Sequence, residues 1–180
     1  DDGNGGHRWQ LISFARPFRT LPEKYNALLG MVTTEAVIIA EDDDLYAPHH
    51  SAACAEALKL NHVCKPSRVL THVDGVLREE NAAGRFHASI AFVTELVRAR
   101  GAWPITRRAD FDLQFLAKLS DIFSVGDTLE ANIWPSYTFI WEGSGHYHAQ
   151  AYGQGPADEG WLERARAAAG PLNWVGKLLL

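Results

Sequence analysis

Ala36-Val37-Ile38-Ile39-Ala40-Glu41-Asp42-Asp43-Asp44-Leu45-Tyr46 is the stretch on which the reading of this chain turns. Five small or apolar residues run on without alternation, the pattern of a strand buried on both faces of a mostly parallel sheet. Four consecutive acids close it. Their mutual repulsion favours a cation, and hard oxygen ligands at a strand end suit Mg²⁺ or Mn²⁺ shared with substrate phosphates. Open α/β sheets also bind ligands beyond the carboxyl ends of their strands. A solvated acidic turn is the plain alternative for such a charge run; the apolar strand directly before it favours the site. Asp43 leads as metal ligand, with Asp42 and Asp44 behind it. Neighbours on a strand point to opposite faces, so all three ligate only where the chain has already turned.

With 180 residues, 47% of them hydrophobic and 22% charged, the chain is expected to form a single domain over 1–180 with a sizeable core. A net charge of −5 and the lack of a Lys/Arg cluster argue against a nucleic-acid partner. Cys54 and Cys64 make no disulfide framework. Two buried thiols in a reducing compartment are expected instead, which suits a cytoplasmic protein. No apolar run reaches transmembrane length, and the start is no signal peptide. That start, Asp1-Asp2-Gly3-Asn4-Gly5-Gly6, reads like a turn that follows a strand. Upstream sequence is therefore expected, and a sheet cut at Asp1 would expose an edge and apolar surface that promote self-association.

Along the chain, residues 9–14 read as a strand by their apolar and β-branched content. Thr20-Leu21-Pro22-Glu23 has capping-box spacing and opens a helix that ends near Gly30 or Met31. A second, Ala-rich helix is predicted over 48–60. Residues 68–73 and 76–79 flank Asp74-Gly75, the signature of a hairpin with a type I′ turn. The apolar segment 90–96 reads as helix ending at Gly101, with Arg98 and Arg100 placed where cations favour the dipole. Phe111, Phe115, Leu119 and Ile122 fall at helical spacing and predict one buried face. Residues 136–141 alternate like a strand, 143–148 form a Gly-rich turn, and 161–169 should be a helix. The class is α/β with an added β-hairpin.

The order of these motifs resembles that of a known family. Asp1-Asp2-Gly3, the helix with Lys24 and Asn26, Glu41-Asp42-Asp43-Asp44, and Asp110-Phe111-Asp112-Leu113 follow one another as in nucleotide-sugar glycosyltransferases. Gly84-Arg85-Phe86-His87-Ala88-Ser89 and Gly145-His146-Tyr147-His148-Ala149-Gln150 resemble a bacterial branch of the large family 2 group, which has the type A glycosyltransferase fold. The resemblance runs from Asp1 to about Trp161. It implies a Rossmann-like, mostly parallel sheet flanked by helices, with the N-terminal βα units missing. It also implies a nucleoside diphosphate sugar at the strand ends. Asp1 or Asp2 would touch the nucleobase. The acid cluster, including Glu41 and Asp42, would touch the ribose and hold the divalent metal on the diphosphate. Asp110 would be the catalytic base of an inverting enzyme, and His148 would complete the metal site. The chain departs from the family in having Glu41 where Asp is usual and Ala109 where an acid commonly precedes the base.

Each candidate also has a plainer role. Asp110 could take a proton from an acceptor hydroxyl or simply cap a helix, and Asp112 competes for either role. His146 and His148 would share a face of an extended segment, compatible with metal or phosphate contact or with a hydrogen-bonded loop. His87 lies near the acceptor or starts its helix. Lys24 could reach a diphosphate and Asn26 a nucleotide, or both could be ordinary helix-surface residues. Trp103 and Trp141 could stack on a sugar or pack in the core. The function expected is metal-dependent transfer of a sugar from a UDP- or GDP-linked donor to a carbohydrate or other hydroxyl acceptor, with inversion. A metal-dependent hydrolase and a catalytically silent nucleotide- or sugar-binding fragment are the alternatives.

Overall fold

Thr20 caps α1 (Leu21–Met31) in the computed structural model. Its hydroxyl accepts from the Glu23 N–H at 3.4 Å, and the Glu23 carboxylate reaches back to the Arg19 N–H at 2.9 Å. Pro22 sits in the first turn, where a missing N–H leaves no bond unmade. The structure describes residues 12–41, 43–73, 75–82, 84–108, 110–131 and 134–141. Asp1, Asp2, Asp42, His146, His148 and the segments predicted over 143–148 and 161–169 lie outside them. Of the strand predicted over 9–14, the described residues 12–14 are neither strand nor helix, and Phe14 lies exposed against Phe18.

Two four-stranded sheets carry the fold. The first orders β1 (Ala36–Ile38), β6 (Ala91–Val93), β3 (Val63–Lys65) and β7 (Val125–Asp127) side by side. The second orders β2 (Leu45–Tyr46), β8 (Tyr137–Trp141), β4 (Arg68–Val73) and β5 (Val76–Asn81). Of the six pairings among the described residues, only β3–β7 and β4–β8 are parallel. A mostly parallel, Rossmann-like sheet flanked by helices is therefore not what this chain forms, and the fold class expected from the sequence is corrected to a mixed α/β arrangement. The apolar run at 36–40 explains the error. It forms a three-residue edge strand in which Ala36 is exposed and Val37 and Ile38 are half-buried. Only Ile39, beyond the strand proper, is buried, its N–H bonded to the Ile90 carbonyl at 3.1 Å. An unbroken apolar run fixes neither how deeply each residue is buried nor the direction of the neighbouring strand.

The segment 90–96 likewise divides. Ala91–Val93 pair as β6, and α3 (Thr94–Arg100) begins only afterwards, its last turn closed by the Gly101 N–H on the Val97 carbonyl at 2.7 Å. Arg98 sits at the α3 end as expected and also donates to the Leu29 and Val32 carbonyls at 2.9 and 2.6 Å, tying α3 to the open end of α1. The two strands of the predicted hairpin pair, while Asp74 of its predicted type I′ turn lies outside the described residues. Arg68–Val73 pairs with Val76–Asn81, and Gly75 adopts φ 76°, a conformation glycine takes at no steric cost. The Ala-rich helix is α2 (His50–Leu58); Cys54 and Cys64 are buried, free thiols.

On α4 (Phe111–Ile122), Phe115, Leu116 and Leu119 are buried and Phe111 packs against the same cluster, while Ile122 faces solvent. Phe115 stacks on Trp103 with ring centroids 3.9 Å apart and meets Phe92 edge-on at 6.2 Å. Trp103 in turn stacks on Tyr25 of α1 at 5.1 Å. This aromatic column fastens α1 and α4 to β6 and sets the distance between the two helices. Truncating a ring of this kind leaves a cavity the neighbours fill only in part. Phe115→Ala is expected to lower unfolding stability by about 3–5 kcal/mol in urea titrations; an effect well below that would show the column to be dispensable.

Candidate functional site

Beyond Ile39 the chain leaves the sheet and turns, and Glu41 becomes the first side chain of the site. Its carboxylate accepts the Tyr25 hydroxyl at 3.0 Å, and its N–H donates to the Tyr46 hydroxyl at 2.9 Å. The Tyr46 hydroxyl then donates to the Ala88 carbonyl at 3.1 Å, which pins the turn to the 3₁₀ segment His87–Ser89. Asp44 is buried. Its two carboxylate oxygens accept the Tyr137 hydroxyl at 2.6 Å and the Ile140 N–H at 3.0 Å. Asp43 sits on the exposed side of the same turn. Glu41, Asp43 and Asp44 each place a carboxylate oxygen within 4.8 Å of the others and could hold a metal ion. The turn overcomes the alternation of strand neighbours, which is why Asp43 and Asp44 can converge.

Phenols from three elements thus hold the acidic turn: Tyr25 on α1, Tyr46 on β2 and Tyr137 on β8. Burial raises all three well above the usual tyrosine range, and the charges of Glu41 and Asp44 add to this for Tyr25 and Tyr137. The phenols remain protonated donors. Burial also pushes the Asp44 carboxyl up to about 7, opposed by its bonds from Tyr137 and Ile140 and reinforced by the charges of Asp43 and Glu41.

A cleft of about 590 Å³ opens beside Glu41. Its walls include Tyr25 and Leu21 of α1, Asp110 and the first turn of α4, His87, and residues of β4, β5 and β8. Asp110 and Asp112 therefore share a cavity with Glu41 and His87. Asp110 precedes α4, but its side chain makes no capping hydrogen bond. Arg108 grips it with a two-pronged fork, Nε at 2.8 Å and a terminal nitrogen at 2.9 Å, and Gln114 adds a third hydrogen bond at 3.0 Å. The Arg108 fork above all holds the Asp110 carboxyl down at about 2. A carboxylate stabilised that far is a poor proton acceptor. No hydrogen-bond donor among the described residues reaches Asp112, one step further round the helix and in the same cleft.

The other candidates are placed as follows. His87 is buried; its Nε2 accepts the Trp103 indole N–H at 2.9 Å, and its Nδ1 lies 3.8 Å from Glu41. Trp103 is a core residue with its indole nitrogen engaged, and it does not line the cleft. Asn26 uses its amide to clamp the Trp103 backbone, donating to the carbonyl at 2.8 Å and accepting from the N–H at 2.9 Å. Lys24 is exposed on α1 and does not line the cleft. Sequence pattern alone does not single out the three tyrosines, Arg108 or Phe86. Only Tyr46 leaves a local signal there, five residues from Glu41, near enough for a phenol to reach back across a turn.

Among the described residues no helix is long and apolar enough to cross a membrane. Compared with known protein families and with curated proteins, the chain matches none.

The raised Asp44 carboxyl fixes the sign of one pH effect. Between its ordinary 3.8 and about 7 the folded state keeps a proton that the unfolded chain releases, so this group's contribution to stability falls as pH rises through that window. In chelator-treated protein, Asp44→Asn is expected to flatten the decline between pH 5 and pH 7.5. Parallel urea midpoints for the two proteins at both pH values would count against this origin.

Proposed function

We propose that the chain is a metal-dependent glycosyltransferase domain, moving a sugar from a nucleoside diphosphate donor to a hydroxyl acceptor with inversion at the anomeric carbon. One observation carries the proposal: a cleft lined by Glu41 of the acidic cluster is lined also by Asp110, Asp112 and His87. Four of the residues singled out for donor, base and acceptor roles from the sequence thus face one cavity. The donor set of the cluster, carboxylate oxygens alone, fits a hard cation such as Mn²⁺ or Mg²⁺. Such an ion supplies Lewis-acid neutralisation of a departing diphosphate.

The protein's own groups would do the rest. Asp112 takes the proton from the acceptor hydroxyl as that oxygen bonds to the anomeric carbon. The bond from that carbon to the diphosphate oxygen breaks, and the electron pair leaves with the diphosphate. Asp110 is a weaker choice for the base because Arg108 and Gln114 already occupy its carboxylate. The Arg108–Asp110 pair instead stiffens the approach to α4. His87, held by Trp103, forms the floor beside Glu41. Positioning and fixed charge, rather than a covalent intermediate, account for the rate in this scheme.

Calorimetric titration of UDP and GDP with and without Mn²⁺ tests the proposal. One of the two nucleotides should bind in a Mn²⁺-dependent manner, and Asp43→Ala should weaken that binding by about tenfold or more, the usual scale for removing a charged partner. Cation binding indifferent to nucleotide would favour the hydrolase. Absence of all binding would overturn the proposal.

A further inference from the structure

Much of the cleft lining is apolar. Phe86, Phe139, Phe111 and Val73 contribute to it, as do Leu21 and Leu113, each more than 40% exposed. Large apolar side chains gathered around a concave surface commonly mark a ligand site rather than idle surface. Phe86 strengthens the case. It adopts φ 60°, ψ 68°, a left-handed conformation that is strained for a bulky residue. Held so, its ring lies 5.3 Å from Phe139 and 6.1 Å from Tyr137, with the Arg85 guanidinium 4.8 Å over its face.

The polar groups of the same cleft are committed elsewhere. Thr71 donates to Glu80 at 2.8 Å, and Arg85 bonds Glu80 and the Asn81 carbonyl at 3.0 and 2.8 Å. Tyr25 serves Glu41, Tyr137 serves Asp44, His87 serves Trp103 and Asp110 serves Arg108. Asp112 alone among the lining polar side chains has no donor among the described residues. A sugar acceptor needs several side chains to satisfy its hydroxyls, because each buried hydroxyl left unmatched is costly. One unmatched carboxylate in an apolar lining suits one hydroxyl on an apolar body.

We propose that this cleft takes an alcohol with an apolar body, its hydroxyl donating to Asp112 and its hydrocarbon lying on Phe86, Phe111, Phe139 and Leu113. The proposal rests on the cleft being the acceptor site of the transferase and names the class of acceptor.

Calorimetry with 1-hexanol, hexyl methyl ether and methyl glucoside, without nucleotide or cation, tests it. Hexanol should bind most tightly. The ether, which lacks the donor hydrogen, should bind about tenfold more weakly, and methyl glucoside should bind more weakly than hexanol. Asp112→Asn should weaken hexanol by about tenfold and leave the ether unchanged. Leu113→Asp, a change on an exposed helix position, should weaken both by about fivefold because it removes apolar surface from the cleft. Methyl glucoside binding better than hexanol would overturn the proposal, as would hexanol binding indifferent to both substitutions. So would a dimer in sedimentation velocity that Leu113→Asp dissolves, since a second copy would then cover the apolar lining. Hexanol binding in a protein that ignores Mn²⁺ and nucleotide would sink the transferase reading alone. Mn²⁺-dependent nucleotide binding without hexanol binding would sink only this one.

Discussion

Three carboxylates held within 4.8 Å of one another repel, and the rest of the site is arranged around keeping them there. Glu41 and Asp44 each receive a phenol, and Asp44 also receives a backbone N–H from β8. Burial keeps the phenols protonated, so they remain hydrogen-bond donors to Glu41 and Asp44. Hydrogen bonds from neutral donors spread the negative charge without cancelling it. A cluster stabilised this way keeps its shape and could hold a metal ion.

The same tyrosines connect the site to the core. Tyr25 bonds Glu41 through its hydroxyl and stacks through its ring on Trp103, which also stacks on Phe115 of α4. Tyr137 is buried in β8 and lies near Tyr46 and Phe86. The acids, the helix that presents Asp112 and the apolar lining are therefore set by one packed aromatic network rather than by separate loops. Close-packed interiors transmit small displacements, so core and site should tolerate change poorly at the same residues. Asn26 shows the division of labour. A side chain suited to a nucleotide instead clamps the Trp103 backbone and so steadies the column.

Asp110 and Asp112 illustrate how a local neighbour reassigns chemistry. Both are acidic, both face the cleft, and either could serve as base by residue type alone. Arg108 is two residues before Asp110 and forks onto it, converting that carboxylate into half of an ion pair. Asp112 lines the same cleft without such a partner among the described residues. Two carboxylates in one cavity thus have different surroundings, one forked by Arg108 and bonded by Gln114 and the other not.

Local pattern determined a good deal here. Thr20 and Glu23 were legible as a helix start, Asp74-Gly75 as a hairpin turn, and Phe115 and Leu119 as a buried helical face, because each depends on residues within one or two turns of chain. The acids were legible as a cluster for the same reason, whereas Asp110 and Asp112 were singled out through the resemblance in motif order. What only the tertiary structure decided were the partners. The run at 36–40 became an edge strand with an antiparallel neighbour, and 90–96 split between strand and helix, since an apolar segment does not say what will pack on it. Tyr137 meets Asp44 across 93 residues of sequence, and Asn26 meets Trp103 across 77. Contacts at such separations form only when the whole chain closes, and no short-range pattern of residue types records them.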